Sequence, residues 1–168
     1  MKISDIGNQP CSIARTLSVI GDTWSIMIIR NAFLGIRRFE DFQKNLGVTR
    51  HVLTDRLNTL VEEQILYKAP YTESQKRFEY RLTPKGLDLY PVLLSLVKWG
   101  DQYMDQGLGA PLDFIHQSCG HRFEAVMVCS ACKLPLNPKQ VTVKMGQGFR
   151  LAQGLENSEQ KQSELKQA

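Results

Sequence analysis

The stretch Phe39-Glu40-Asp41-Phe42-Gln43-Lys44-Asn45-Leu46-Gly47-Val48-Thr49-Arg50-His51-Val52-Leu53-Thr54-Asp55-Arg56-Leu57 decides how this chain folds. Phe39, Phe42 and Leu46 recur at helical spacing, which predicts a short amphipathic helix. Gly47-Val48 makes a tight turn, and Thr49 supplies a side-chain cap for a helix predicted over 50–63. That helix turns Val52, Leu53, Leu57, Leu60 and Val61 inward. His51, Asp55, Asn58 and Glu62 point away, with Arg50, Thr54 and Arg56 on the flanks. A short helix, a glycine turn and a capped amphipathic helix, in that order, make a helix-turn-helix.

Upstream, a helix is expected after Asn8-Gln9-Pro10, with Ile13, Ala14, Leu17 and Ile20 on one face. Gly21-Asp22 breaks it, and Thr23 is positioned to cap a second, largely apolar helix from Trp24 to Leu34, closed by Gly35. Trp24, Met27, Ile28 and Ile29 read as core. Downstream, a strand over 65–69 and a polar tip around Thr72-Glu73-Ser74-Gln75 lead into a second strand. There Phe78, Tyr80 and Leu82 alternate with Arg77, Glu79 and Arg81. Thr83-Pro84 opens a last helix with Leu89, Leu93, Leu96, Gly100 and Tyr103 on one stripe, and Pro91 should kink it or reset its start.

Composition only bounds the answer. The chain has 168 residues, 42% of them hydrophobic and 23% charged, values that fit one globular domain with a small appendage. No apolar run approaches the roughly 18 residues of a membrane span, and the N-terminus lacks a secretory signal, so a cytoplasmic protein with reduced thiols is expected. From Arg30 to Lys85 eleven Lys and Arg face seven Asp and Glu, a surplus of four that equals the net charge of the whole chain. The positive excess therefore lies on the helix-turn-helix and hairpin, where a wing would meet phosphates. Arg37, Arg38, Thr49, Arg50, His51, Thr54, Arg56, Lys76 and Arg77 are the candidates for contact with double-stranded DNA. Winged helices also dock proteins, and Asp55 and Glu62 would repel phosphate, so that alternative stays open.

A resemblance narrows it. Cys11-Ser-Ile-Ala-Arg-Thr-Leu-Ser-Val-Ile-Gly-Asp-Thr-Trp24 resembles the opening signature of HxlR-type regulators, relatives of the MarR group. So do Ile28-Ile-Arg30, Arg37-Arg-Phe-Glu-Asp-Phe42, Val52-Leu-Thr-Asp-Arg-Leu57, Tyr80-Arg-Leu-Thr-Pro-Lys-Gly86 and Trp99-Gly100, in the expected order from residue 11 to about 104. The resemblance implies a sequence-specific transcriptional regulator, a homodimer on an inverted-repeat operator, with the first and last helices as the dimer contact. It implies no enzyme, and no phosphate loop, nucleophile elbow or paired-carboxylate motif argues for one.

Two cysteine-bearing features remain. Cys11 is expected just inside the first helix, where the macrodipole favours a thiolate, with Arg15 one turn further on. Several HxlR-like proteins sense oxidants or electrophiles through a cysteine there; the alternative is a small residue packed at the dimer seam. The second feature is His116-Gln-Ser-Cys119-Gly-His121 followed by Cys129-Ser-Ala-Cys132, which holds three of four cysteines and two of three histidines within seventeen residues. Two pairs of ligands three apart have the spacing of zinc knuckles, so His116, Cys119, Cys129 and Cys132 would hold a structural zinc, with His121 as a substitute for His116. A metal-free hairpin of reduced thiols is the alternative, and no His-Glu-x-x-His arrangement supports a zinc hydrolase.

The expected architecture is α+β: a winged helix-turn-helix with helical dimerisation elements and a small C-terminal Cys/His β-ribbon. Residues 8–106 form the DNA-binding and dimerisation domain, 110–145 the zinc-ribbon-like module, and 153–168 a disordered polar tail. No membrane partner is expected, and the effector is not named by the residues.

Overall fold

The computed structural model describes residues 3–70 and 78–155. The wing tip with Lys76 and Arg77, and the tail beyond Leu155, lie outside the described residues. The chain divides into two compact units, Val19–Pro135 and Met1–Ser18 with Leu136–Ala168. The boundary at Pro135 falls within the predicted 110–145 module.

The first unit carries the predicted order of elements. Helix α1, Ser12–Ile20, begins in the other unit and ends in this one. Helix α2 spans Thr23–Phe33, α3 Phe39–Leu46 and α4 Arg50–Glu62. Strands β1, Leu66–Pro70, and β2, Phe78–Leu82, pair antiparallel with Leu66 opposite Leu82 and Lys68 opposite Tyr80. The one-turn helix α5, Pro84–Leu87, precedes α6, Tyr90–Tyr103. Strands β3, Ile115–His116, and β4, His121–Arg122, form a second, minimal hairpin.

Local chemistry sets these boundaries. The carboxylate of Asp22, not the Thr23 hydroxyl, caps α2: Oδ1 accepts from the N–H groups of Trp24 and Ser25, each at 3.0 Å. A carboxylate at the cap reaches two orphan amides at once and favours the positive end of the helix, so the cap lies one residue earlier than predicted. Gly47 closes α3 at φ 65°, a left-handed conformation that glycine adopts without strain. Thr49 Oγ accepts from the Val52 N–H, as expected of a cap. Pro91 resets the start of α6 rather than kinking a longer helix, since its ring and missing N–H are tolerated in a first turn.

The core gathers Ile28 and Ile29 of α2, Phe42 of α3, Leu53, Leu57 and Leu60 of α4, Ile65, Leu66 and Leu93, all buried. Val52 and Val61 are half-buried at its margin. Trp24 is 38% exposed and is not a core residue, a correction to its reading as core with Ile28 and Ile29. The stripe predicted on α6 also divides: Leu93 is buried, whereas Leu96 and Tyr103 face outward. The wing is locked to this core by Thr83, whose hydroxyl donates to the Gln64 carbonyl at 2.6 Å and accepts from the Gly86 N–H at 3.0 Å. A side chain at Gly86 would collide with the Ile65 carbonyl, so the joint accepts only glycine.

The second unit holds a 3-10 turn at Ile3–Asn8, the start of α1, a further 3-10 turn at Pro138–Gln140 and helix α7, Gln147–Ala152. No helix among the described residues is long and apolar enough to cross a membrane.

Candidate nucleic-acid interface

The start of α4 is where the presented polar groups converge. Thr49, Arg50, His51 and Thr54 are exposed there, as Arg37 and Arg38 are just before α3. The Arg50 guanidinium lies 4.6 Å from the centre of the Phe39 ring, which places it beside the first turn of α3. A guanidinium on an aromatic face keeps its in-plane N–H groups free to point outward. Thr54 turns its hydroxyl back to the Arg50 carbonyl at 2.8 Å, leaving its methyl as the more available group. His51 and Asp55 stand 3.5 Å apart, four residues along one exposed face, so the acid expected to repel phosphate has a local partner.

The wing is tied to the same place. The Tyr80 N–H of β2 donates to the Arg37 carbonyl at 2.8 Å, joining the outer wing strand to the segment before α3. Lys68 of β1 donates to Asn58 of α4 at 3.3 Å and lies over the Tyr80 ring. Burial, and then the Glu40 carboxylate, push the Tyr80 phenol above its ordinary range. Lys68 was missed in the sequence because only the hairpin register sets it opposite Tyr80 and beside α4.

Arg56 is placed differently from the other candidates. Its Nε is buried and lies 3.5 Å from Asp22 Oδ1, so it braces α4 against the capped end of α2. Behind the interface Asn31 is fully buried. It donates to Asn45 Oδ1 at 2.8 Å and accepts from Arg30 Nη2 at 2.6 Å, fixing α2 against the end of α3. This polar network was not anticipated; it joins residues fourteen apart in sequence and leaves no periodic trace.

Cys11 is exposed, and it lies just before α1 rather than inside it: its carbonyl accepts the Arg15 N–H at 3.1 Å, the first bond of the helix. The Arg15 side chain contacts Ser12 Oγ at 3.4 Å.

In the ribbon, His116 Nδ1 stands 3.3 Å from Cys119 Sγ. The backbone N–H groups of Cys132 and then Ala131 are directed at the Cys129 sulfur and hold its thiol below the ordinary range. Among the described residues no three His, Cys, Asp or Glu side chains gather into one group, so the four predicted ligands stand as two pairs. The ribbon meets α6 through Lys98, which donates to the Ala125 carbonyl at 3.3 Å. Beneath that bond Leu94, Val97, Leu112, Phe114 and Phe123 line a cavity of about 370 Å³.

Known proteins share this arrangement. An uncharacterized HTH-type transcriptional regulator of Mycobacterium bovis is 36% identical over 152 residues, covering 89% of this chain and 96% of the relative. The crystal structure of PA1607, a candidate transcription factor, is 36% identical with a TM-score of 0.73, covering 81% of this chain and 95% of the other. The redox regulator HypR in its oxidized form is 30% identical with a TM-score of 0.52, covering 56% of this chain and 99% of HypR. The model of the HxlR-like helix-turn-helix matches residues 19–108, the helices and wing just described. The chain therefore belongs to the HxlR-like helix-turn-helix family, and its fold is that of a DNA-binding transcriptional regulator.

Proposed function

We propose that this regulator binds an inverted-repeat operator as a homodimer, with the first turn of α4 in the major groove of each half-site. The carrying observation is the Arg50 guanidinium set on Phe39 beside exposed Arg37, Arg38, Thr49, His51 and Thr54. Arg50, Thr54 and His51 then read base edges, while Arg37, Arg38, Lys68 and the wing's Lys76 and Arg77 meet phosphates. Arg56 keeps 41% of its side chain exposed while its Nε lies by Asp22, so it serves as a brace first and a DNA contact second. Dimerisation is supported by apolar side chains left exposed on both helices that the resemblance assigns to it: Ile13 and Leu17 on α1, Leu96, Trp99 and Tyr103 on α6. The reading makes the protein a cytoplasmic binding protein and not an enzyme.

Footprinting on the DNA upstream of its own gene, followed by a salt titration, tests this. With two or three phosphates neutralised per subunit, log K should fall against log salt with a slope of about −4 to −5. A slope near zero overturns DNA binding and favours a protein-docking role for the same face.

Oxidant or electrophile sensing through Cys11 belongs to the same proposal. The exposure of Cys11 supports it, as does the likeness to HypR, a redox regulator. An adduct or a bridge to Cys11 of the second copy would change the spacing of the recognition helices. The test compares operator binding by wild type and Cys11→Ser with and without diamide, zinc present throughout. An equal response, or none, removes Cys11 as the sensor and makes a small-molecule effector the better account.

A further inference from the structure

The ribbon contains the same turn twice. In the first, the Gly120 N–H donates to the His116 carbonyl at 2.8 Å and Gly120 is left-handed at φ 72°. In the second, the Lys133 N–H donates to the Cys129 carbonyl at 2.9 Å and Lys133 is left-handed at φ 61°. Each turn therefore places a ligating residue first, a cysteine three positions on, and a left-handed residue after it. Lysine has no intrinsic reason to sit in the conformation that glycine takes in the matching turn. Each turn also ends a hairpin: β3 and β4 flank the first, and Val128 bridges Pro135 around the second, with the Cys129 N–H bonded to the Leu134 carbonyl at 2.9 Å.

Apart from these bonds, the Lys98 contacts to Ala125 and Glu124 and the Arg122–Asp113 ion pair, the segment has no closed core. Ile115, Met127 and Leu134 are exposed, and the Phe114 and Phe123 rings supply an edge-on pair at 6.3 Å where a larger domain would have a core. A segment this small and this open needs a staple. Cysteines of a protein working beside DNA in a reducing cytosol do not supply it as a disulfide.

We propose that the two turns are the halves of one tetrahedral zinc site, with His116, Cys119, Cys129 and Cys132 as its ligands. The pair geometry fits the ion. Zinc–nitrogen and zinc–sulfur bonds at a tetrahedral angle place the two ligand atoms about 3.6 Å apart, and His116 Nδ1 lies 3.3 Å from Cys119 Sγ. His116 offers Nδ1 to the metal, and Ser118 Oγ lies beside the ring, 3.4 Å from Nδ1 and 3.1 Å from Nε2. His121 lies opposite His116 across the hairpin, and the contact of His116 with Cys119 is the ground for assigning His116 rather than His121. Among the described residues the two pairs form no group of three, so a shared site requires them to come together on the ion. Thiolates and imidazole select a soft or borderline ion, which makes zinc the cargo rather than calcium or magnesium.

The experiment uses the full chain purified without chelator. We expect about one zinc per chain by elemental analysis. Cobalt substitution should give the intense visible bands of a tetrahedral thiolate site. Cys129→Ser and Cys132→Ser should each lose the metal while circular dichroism of the helices is retained. His116→Asn should weaken binding, and His121→Asn should bind as wild type does. Any of three results overturns the proposal: no zinc at micromolar free metal, metal retained in the Cys129→Ser, Cys132→Ser double variant, or one metal shared by two chains. If His121→Asn rather than His116→Asn loses the metal, the ligand assignment is overturned with it.

Discussion

The winged helix and the ribbon solve the same problem with different means. Around α2, α3 and α4 the chain buries Ile28, Ile29, Phe42, Leu53, Leu57 and Leu60 completely and caps its helices with Asp22, Thr49 and Thr83. From Leu112 to Pro135 no residue is fully buried, and the backbone is held by two short hairpins. Order in the first region comes from removal of apolar surface from water. Order in the second has to come from a few directional bonds. The contrast teaches where substitutions will be felt: volume matters in one region, ligating atoms and turn geometry in the other.

The largest expected effect tests the volume half of that contrast. Leu57→Ala should destabilise by about 2–5 kcal/mol, measured from the denaturant midpoint, because it opens a cavity in a closed core. Leu134→Ala, in the exposed ribbon, should change the same midpoint by less than about 0.5 kcal/mol. Similar costs at both positions would erase the distinction. Next comes Asn31→Leu, which removes the buried amide between Arg30 and Asn45 and leaves only their direct bond at 3.2 Å; it should cost about 1–3 kcal/mol despite adding apolar volume.

Arg50 and Arg56 sharpen the comparison within one helix. Arg50→Ala should weaken operator binding by about 1–3 kcal/mol and leave the unfolding midpoint nearly in place. Arg56→Ala should do the reverse: a lower midpoint, from the loss of its brace on Asp22, with the salt slope unchanged. The smallest effect is alkaline. Because the folded Tyr80 phenol holds its proton above the ordinary range, its contribution is complete below the unfolded pKa and is lost as pH rises through the folded one. Tyr80→Phe should therefore flatten the loss of stability above about pH 10 without altering it near neutrality.

What the sequence disclosed follows the range of each interaction. Gly47, Thr49, Thr83-Pro84 and the alternation through Tyr80 are signals spanning a few residues, and the elements they mark stand where expected. The α2 cap moved by one residue because Asp22 and Thr23 both carry a capping group and only geometry selects between them. Trp24 misled because hydrophobicity alone does not say which side of an apolar helix meets the core. The brace from Arg56 to Asp22 and the Arg30–Asn31–Asn45 network cross between helices, and no local pattern announces them. The candidate DNA contacts were legible as a cluster of cations, but the tie of Arg56 to Asp22 was not.

The bond from Tyr80 to Arg37 has a mechanical consequence. The wing strands are paired as far as Pro70 opposite Phe78, and that bond ties β2 to the segment before α3. A displacement of β2 is therefore passed to the segment that carries Arg37 and Arg38, and a movement of that segment is passed back to the wing. The two cationic parts of the molecule share one mechanical joint.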